Sequence, residues 1–128
     1  MRLLLDTQIV LWLAAEPEKL PPGAVGLLAD PDAGIAFSVV NLWEVAIKRS
    51  LNRPTFQINP RRLRERMITT GFMELAVTGE HALEVEHLPL IHRDPFDRLL
   101  IAQALSEGLT LLTTDRLLDG YPGDIRRV

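Results

Sequence analysis

The chain has no cysteine. Disulfides and thiolate metal sites are therefore excluded, and a reducing cytoplasmic setting is the expected one. Long apolar runs are also missing: Leu3-Leu4-Leu5 is halted at Asp6, too early for a signal peptide or a membrane span. Positive charge is not in excess either. Fourteen Lys and Arg against 17 Asp and Glu give a net charge of −3. That balance argues against coating nucleic acid by bulk attraction, but permits an enzyme that holds a phosphodiester through metal ions and a local basic patch. No G-x-G-x-x-G follows the first apolar run, which argues against a dinucleotide-binding fold. Internal repeats, low-complexity tracts and linkers are absent as well. What remains, 47% hydrophobic and 24% charged over 128 residues, is one globular domain spanning residues 1–128.

The pattern alternates strands with helices. Apolar runs predict buried strands at 2–5, 34–38, 72–77 and 109–113, with a fifth, edge strand at 125–128. Helices are expected over 9–15, over 24–29 behind Pro21-Pro22, over 41–51, and in an Arg-rich segment from Pro60. Further helices follow Thr78-Gly79-Glu80, span Pro95 to Glu107 with Gly108 as the stop, and open at Thr114-Asp115. Such alternation implies an α/β fold, a parallel sheet of four to five strands with helices on both faces. Sites in such sheets form outside the carboxyl ends of the strands, near the point where the strand order reverses. Asp6 and Asp115 fall at two of those ends.

The segment from His92 to Leu105 is the most informative. Asp94 suits an N-cap, Pro95 the first helical position and Asp97 the first turn, where the helix dipole favours negative charge. Asp97 shares its helix face with Ile101 and Ala104, so it points inward. Asn41-Leu42-Trp43-Glu44 reads as a capping box that starts the third helix. Taken singly, Asp6, Glu44, Asp97 and Asp115 could each be a helix cap or first-turn acid. Taken together they could not sit at one place unaided, because two carboxylates 5 Å apart repel by roughly 3 kcal/mol at an effective dielectric of 20. Convergence would call for a hard divalent cation such as Mg²⁺ or Mn²⁺, which suits oxygen ligands and can activate water against a phosphodiester.

Four blocks carry a further signal: Leu3-Leu4-Leu5-Asp6-Thr7, Ser38 to Lys48, His92 to Ala104, and Leu111-Leu112-Thr113-Thr114-Asp115. In this order and spacing the chain resembles the PIN-domain family, most closely the toxin-type PIN ribonucleases of VapBC-like toxin–antitoxin pairs. The resemblance implies a PIN-like three-layer α/β/α sandwich and a Mg²⁺- or Mn²⁺-dependent endoribonuclease acting through metal-activated water. It also implies a small VapB-like antitoxin as partner and a homodimer. Asp6 and Asp97 would be direct metal ligands, Glu44 and Asp115 would complete the acidic pocket, and Thr7 and Thr113 would stand beside it. Gln8 replaces a His frequent in relatives, and Thr114 an Arg.

Other residues have plainer readings. Asp94 is expected to be an N-cap, with support of the metal as its alternative. His81, His87 and His92 share no ligand spacing and are read as surface or packing residues, and Trp12 and Trp43 as packing residues. Lys48, Arg49 and Arg53, with Arg61, Arg62, Arg64 and Arg66, form either a solvated face or a track for RNA phosphates. Arg93 and Arg98 flank the acids and could offset their charge or hold a phosphate. Two rival functions are a phosphatase with Asp6 as nucleophile, weakened by Gln8 two residues on, and a degenerate module that binds RNA or a protein without cleavage.

Overall fold

The computed structural model describes all 128 residues. Five strands, β1 (Arg2–Leu5), β2 (Gly34–Ser38), β3 (Met73–Leu75), β4 (Thr110–Thr113) and β5 (Ile125–Arg127), form one sheet. Every pairing is parallel and the order is β3-β2-β1-β4-β5. The chain winds outward from β1 to β3 and then returns to the other side of β1, so the order reverses between β1 and β4. The residue alternation of a strand divides the core in two. Leu3, Leu5, Ile35, Phe37 and Leu112 belong to one buried cluster, whereas Leu4 and Leu111 belong to the other.

Six helices complete the fold: α1 (Thr7–Ala15), α2 (Pro22–Ala29), α3 (Val39–Ser50), α4 (Pro60–Thr70), α5 (Gly79–Glu84) and α6 (Pro95–Glu107). Ile9 and Val10 of α1, Ala24 of α2, and Leu63 and Met67 of α4 pack on the first face. Leu100, Ile101 and Ala104 of α6 pack on the second, with Leu88, Leu118 and Tyr121. This is a three-layer α/β/α sandwich. No helix is long and apolar enough to cross a membrane.

Several boundaries differ from the sequence pattern for local reasons. The third helix starts at Val39, not Asn41. Ser38 is the N-cap, its hydroxyl accepting the Val40 N–H at 2.9 Å, and Asn41 supplies the returning acceptor, its Oδ1 taking the Ser38 N–H at 2.7 Å. Glu44 is therefore in the second turn and has no capping role. The third strand is only three residues long, as an edge strand with one neighbour can be. The segment after Asp115 is a 3-10 turn, Arg116–Gly120. The fifth strand and the α6 limits follow the sequence, with Gly108 closing α6 at φ 66°.

A buried polar tie fixes the strand ends. Asn41 Nδ2 donates to the Leu5 carbonyl at 3.2 Å and to Thr7 Oγ1 at 2.9 Å, joining α3 to the β1–α1 junction. Behind it, Ser38 Oγ donates to Gln103 Oε1 at 2.5 Å, and Gln103 Nε2 reaches the Ala76 carbonyl at 3.3 Å. His81 is fully buried; its Nδ1 accepts the Thr78 N–H at 3.0 Å and its Nε2 faces Glu107 at 3.3 Å, consistent with the packing role read from sequence. Replacing Asn41 by Ala would orphan the Ser38 N–H and the Leu5 carbonyl together. Asn41→Ala is expected to cost about 3 kcal/mol in urea unfolding; an unchanged midpoint would show that the tie is dispensable.

Candidate active site

The chain turns from strand to helix at Asp6, in the N-cap position of α1, yet its side chain makes no capping bond. Instead Asp6 Oδ2 accepts the Thr113 hydroxyl at 2.5 Å. The sheet sets this contact: Leu5 is in register with Leu112, so the next residues on β1 and β4 meet side by side. Thr113 Oγ1 also accepts the Asp115 N–H at 3.0 Å, which fixes the turn carrying that acid. Asp115 Oδ1 then caps the 3-10 turn through the Leu117 N–H at 2.9 Å.

The other acids arrive on helices. Glu44 projects from α3, 5% exposed, into the same place. Asp94 caps α6, its Oδ1 accepting the N–H of Phe96 at 2.8 Å and of Asp97 at 3.2 Å. Asp97 follows in the first turn and is buried. Asp6, Glu44, Asp94, Asp97 and Asp115 line one cleft of about 350 Å³, together with Thr7, Gln8, Lys48, Phe56 and Thr114.

The electrostatics are unfavourable by design of the fold. Burial pushes the Asp6 carboxyl above its ordinary range, the Thr113 hydrogen bond pulls it back, and Glu44 raises it again. Asp97 is raised from 3.8 to about 7, first by burial, then by the charges of Asp6 and Asp94, with the His92 hydrogen bond opposing. One ammonium answers them. Lys48 Nζ lies 2.5 Å from Glu44 Oε2, and sits over the rings of Phe56 at 4.8 Å and Phe96 at 5.5 Å. Glu44 Oε1 is buried without any hydrogen-bond partner. Five carboxylates, one unpartnered buried oxygen and a single lysine make an oxygen-rich set that fits a hard divalent cation.

The basic residues singled out from sequence divide. Lys48 lines the cleft. Arg49, Arg53 and Arg93 are exposed outside its lining. Arg98 corrects the expectation that it serves the acids: its guanidinium donates to the Pro89 carbonyl at 2.8 Å, the Val85 carbonyl at 3.3 Å and the Tyr121 hydroxyl at 3.2 Å. One step along a helix turns a side chain by about 100°, so the neighbour of an inward acid points elsewhere. Arg64 is likewise committed, to Glu74 at 2.6 Å. Trp43 is 47% exposed, stacked edge-on against Phe96 with centroids 4.8 Å apart, and so is not a core residue.

His92 is the residue the sequence reading passed over. Its Nε2 is 2.9 Å from Asp97 Oδ2 and 3.8 Å from Asp115 Oδ2. The available signal was its place two residues before the N-cap of α6, on a segment that must approach the same helix N-terminus.

Comparison with known proteins agrees with this architecture. The family model described as PIN domain matches residues 3–123. Ribonuclease VapC22 of Mycobacterium tuberculosis is 30% identical over 123 residues, covering 92% of this chain and 90% of that protein. Among solved structures, VapBC2 from Rickettsia felis, bound to a DNA fragment from its promoter, superposes with a TM-score of 0.75 at 17% identity, over 99% of this chain and 98% of that one. DNA-bound VapBC from Salmonella typhimurium gives a TM-score of 0.70 at 17% identity, with the same coverage. These structural likenesses speak for the fold. The family model and the VapC22 relationship, each spanning nearly the whole length, show that the chain belongs to the PIN-domain family.

Proposed function

We propose that this chain is a Mg²⁺- or Mn²⁺-dependent endoribonuclease and the toxin of a pair whose other member is a small VapB-like antitoxin. The observation that carries the reading is the convergence of Asp6, Glu44, Asp97 and Asp115 on one cleft, where Glu44 Oε1 is buried and unpartnered. A relative named as a ribonuclease and similar folds solved as VapBC complexes support the activity and the partner.

Asp6 and Asp97 would hold the cation, with Glu44 and Asp115 completing its surroundings. A divalent ion bound there supplies a Lewis acid for the phosphodiester and lowers the pKa of water, which suits hydrolysis without the 2′-hydroxyl. The protein's own part is orientation. Thr113 fixes one oxygen of Asp6 and leaves the other for the ion. Asp94 occupies the first N–H groups of α6 and so holds Asp97 at the head of the helix. Lys48 is the cation placed to meet a phosphate oxygen when Glu44 turns to a metal. Gln8 and Thr114 present neutral polar groups to the substrate along the same wall.

Purified protein given Mg²⁺ or Mn²⁺ is expected to cleave a labelled structured RNA, leaving 5′-phosphate and 3′-hydroxyl ends. EDTA should abolish cleavage, and Asp6→Asn or Asp97→Asn should lower the rate on the order of 10²-fold or more, the scale of losing a positioned catalytic group. A 2′,3′-cyclic phosphate product would sink the mechanism, and RNA retention without cleavage would favour the binding-module reading.

The acids also tie stability to pH. For Asp97 the folded pKa of about 7 exceeds the ordinary 3.8, so the folded state binds the proton more tightly. Metal-free stability should therefore fall as pH rises from about 4 to about 7. In EDTA at pH 8, Asp97→Asn is expected to melt several degrees above wild type, and Mg²⁺ or Mn²⁺ to raise the wild-type melting temperature. A variant no more stable than wild type across that range would show that the carboxylate carries no such strain.

A further inference from the structure

Behind the acids of the cleft stands one imidazole nitrogen, on a residue outside the cleft's own lining. His92 Nε2 approaches the acids from the loop before α6, and its ring contacts, at 2.9 Å to Asp97 and 3.8 Å to Asp115, all run through that atom. His92, Asp94 and Asp97 each offer one donor atom, and the three donors lie within 4.8 Å of one another. The imidazole is not placed there by chance packing. The His92 N–H donates to the Tyr121 hydroxyl at 2.7 Å, and that hydroxyl donates back to the His92 carbonyl at 3.2 Å. Arg98 in turn holds the Tyr121 oxygen at 3.2 Å. The backbone of His92 is thus clamped from both sides, and its ring is aimed at Asp97.

We propose that His92 is a metal ligand, and that its nitrogen, with Asp94 and Asp97, biases the site toward borderline first-row cations such as Co²⁺ or Zn²⁺ over Mg²⁺. This rests on the metal reading given above and sharpens it. A neutral imidazole can carry its one proton on Nδ1 and present the Nε2 lone pair to an ion. Asp94 spends Oδ1 on two backbone N–H groups, and its second oxygen remains for coordination. Glu44, nine-tenths buried with Oε1 unpartnered, lines the same cleft and marks it independently as short of a cation. Imidazole is a ligand that Zn²⁺ and Co²⁺ accept readily and that Mg²⁺ accepts poorly, so one nitrogen among oxygens shifts the order of affinity.

The test is Mn²⁺ titration of the purified full chain, followed by pulsed EPR of the bound ion. Nitrogen hyperfine modulation is expected in wild type. It should vanish in His92→Gln and persist in His87→Gln, which alters an exposed histidine outside the cleft. By calorimetry, His92→Gln should weaken Zn²⁺ by more than the roughly 100-fold that losing an outer partner of a metal can cost, and leave Mg²⁺ nearly unchanged. The wild-type spectrum decides the matter even if His92→Gln does not fold. Bound Mn²⁺ without nitrogen coupling, or coupling that survives in His92→Gln, overturns this inference and leaves the metal reading standing. No Mn²⁺ binding at millimolar concentration overturns both.

Discussion

The cleft depends on one pairing in the sheet. Because β1 and β4 run parallel with Leu5 opposite Leu112, Asp6 and Thr113 leave the sheet side by side and exchange a 2.5 Å hydrogen bond. A slip of one residue would reverse the face of every side chain on the strand and put Asp6 where Leu5 stands, among Ile9, Phe37 and Leu112. The apolar faces therefore enforce the register, and the register places the acid. The reversal of strand order between β1 and β4 supplies the opening into which α3 and α6 can send Glu44 and Asp97.

Around that point the protein separates two kinds of buried polar group. Ser38, Asn41, Gln103 and His81 are closed upon one another and upon backbone, so their desolvation is offset and they stiffen the junctions between elements. The carboxylates are the opposite case. They are brought together against their repulsion, with a raised Asp97 and an orphaned Glu44 oxygen as the visible cost. Marginal charge balance at a cleft, surrounded by a satisfied polar frame, is how a fold keeps a site ready for an external cation without losing its shape.

Much of this was legible in the chain. The run Leu3-Leu4-Leu5 reads as a strand buried on both faces, and Asp94-Pro95 with Gly108 set the ends of α6. Other features were not legible, for physical reasons. Asn41 has the composition of an N-cap, and only the fold shows it serving as the third residue of a box begun by Ser38. Arg98 stands next to Asp97 in sequence, yet helix geometry sends it to Tyr121. His92 has no partner at a helical or strand spacing, because its contacts cross a turn and reach residues from two other elements. Proximity that depends on tertiary closure leaves no periodic trace.

The distance along the chain between Asp6 and Thr113 has a consequence in time. The two are separated by 107 residues, and a chain emerges and folds from its N-terminus. β1 and β2 can pair early, but the wall formed by α6, β4 and Asp115 does not exist until nearly all of the domain has been made. Closing so long a loop is also entropically slow relative to local contacts. A growing or truncated chain consequently carries the acids without the cleft.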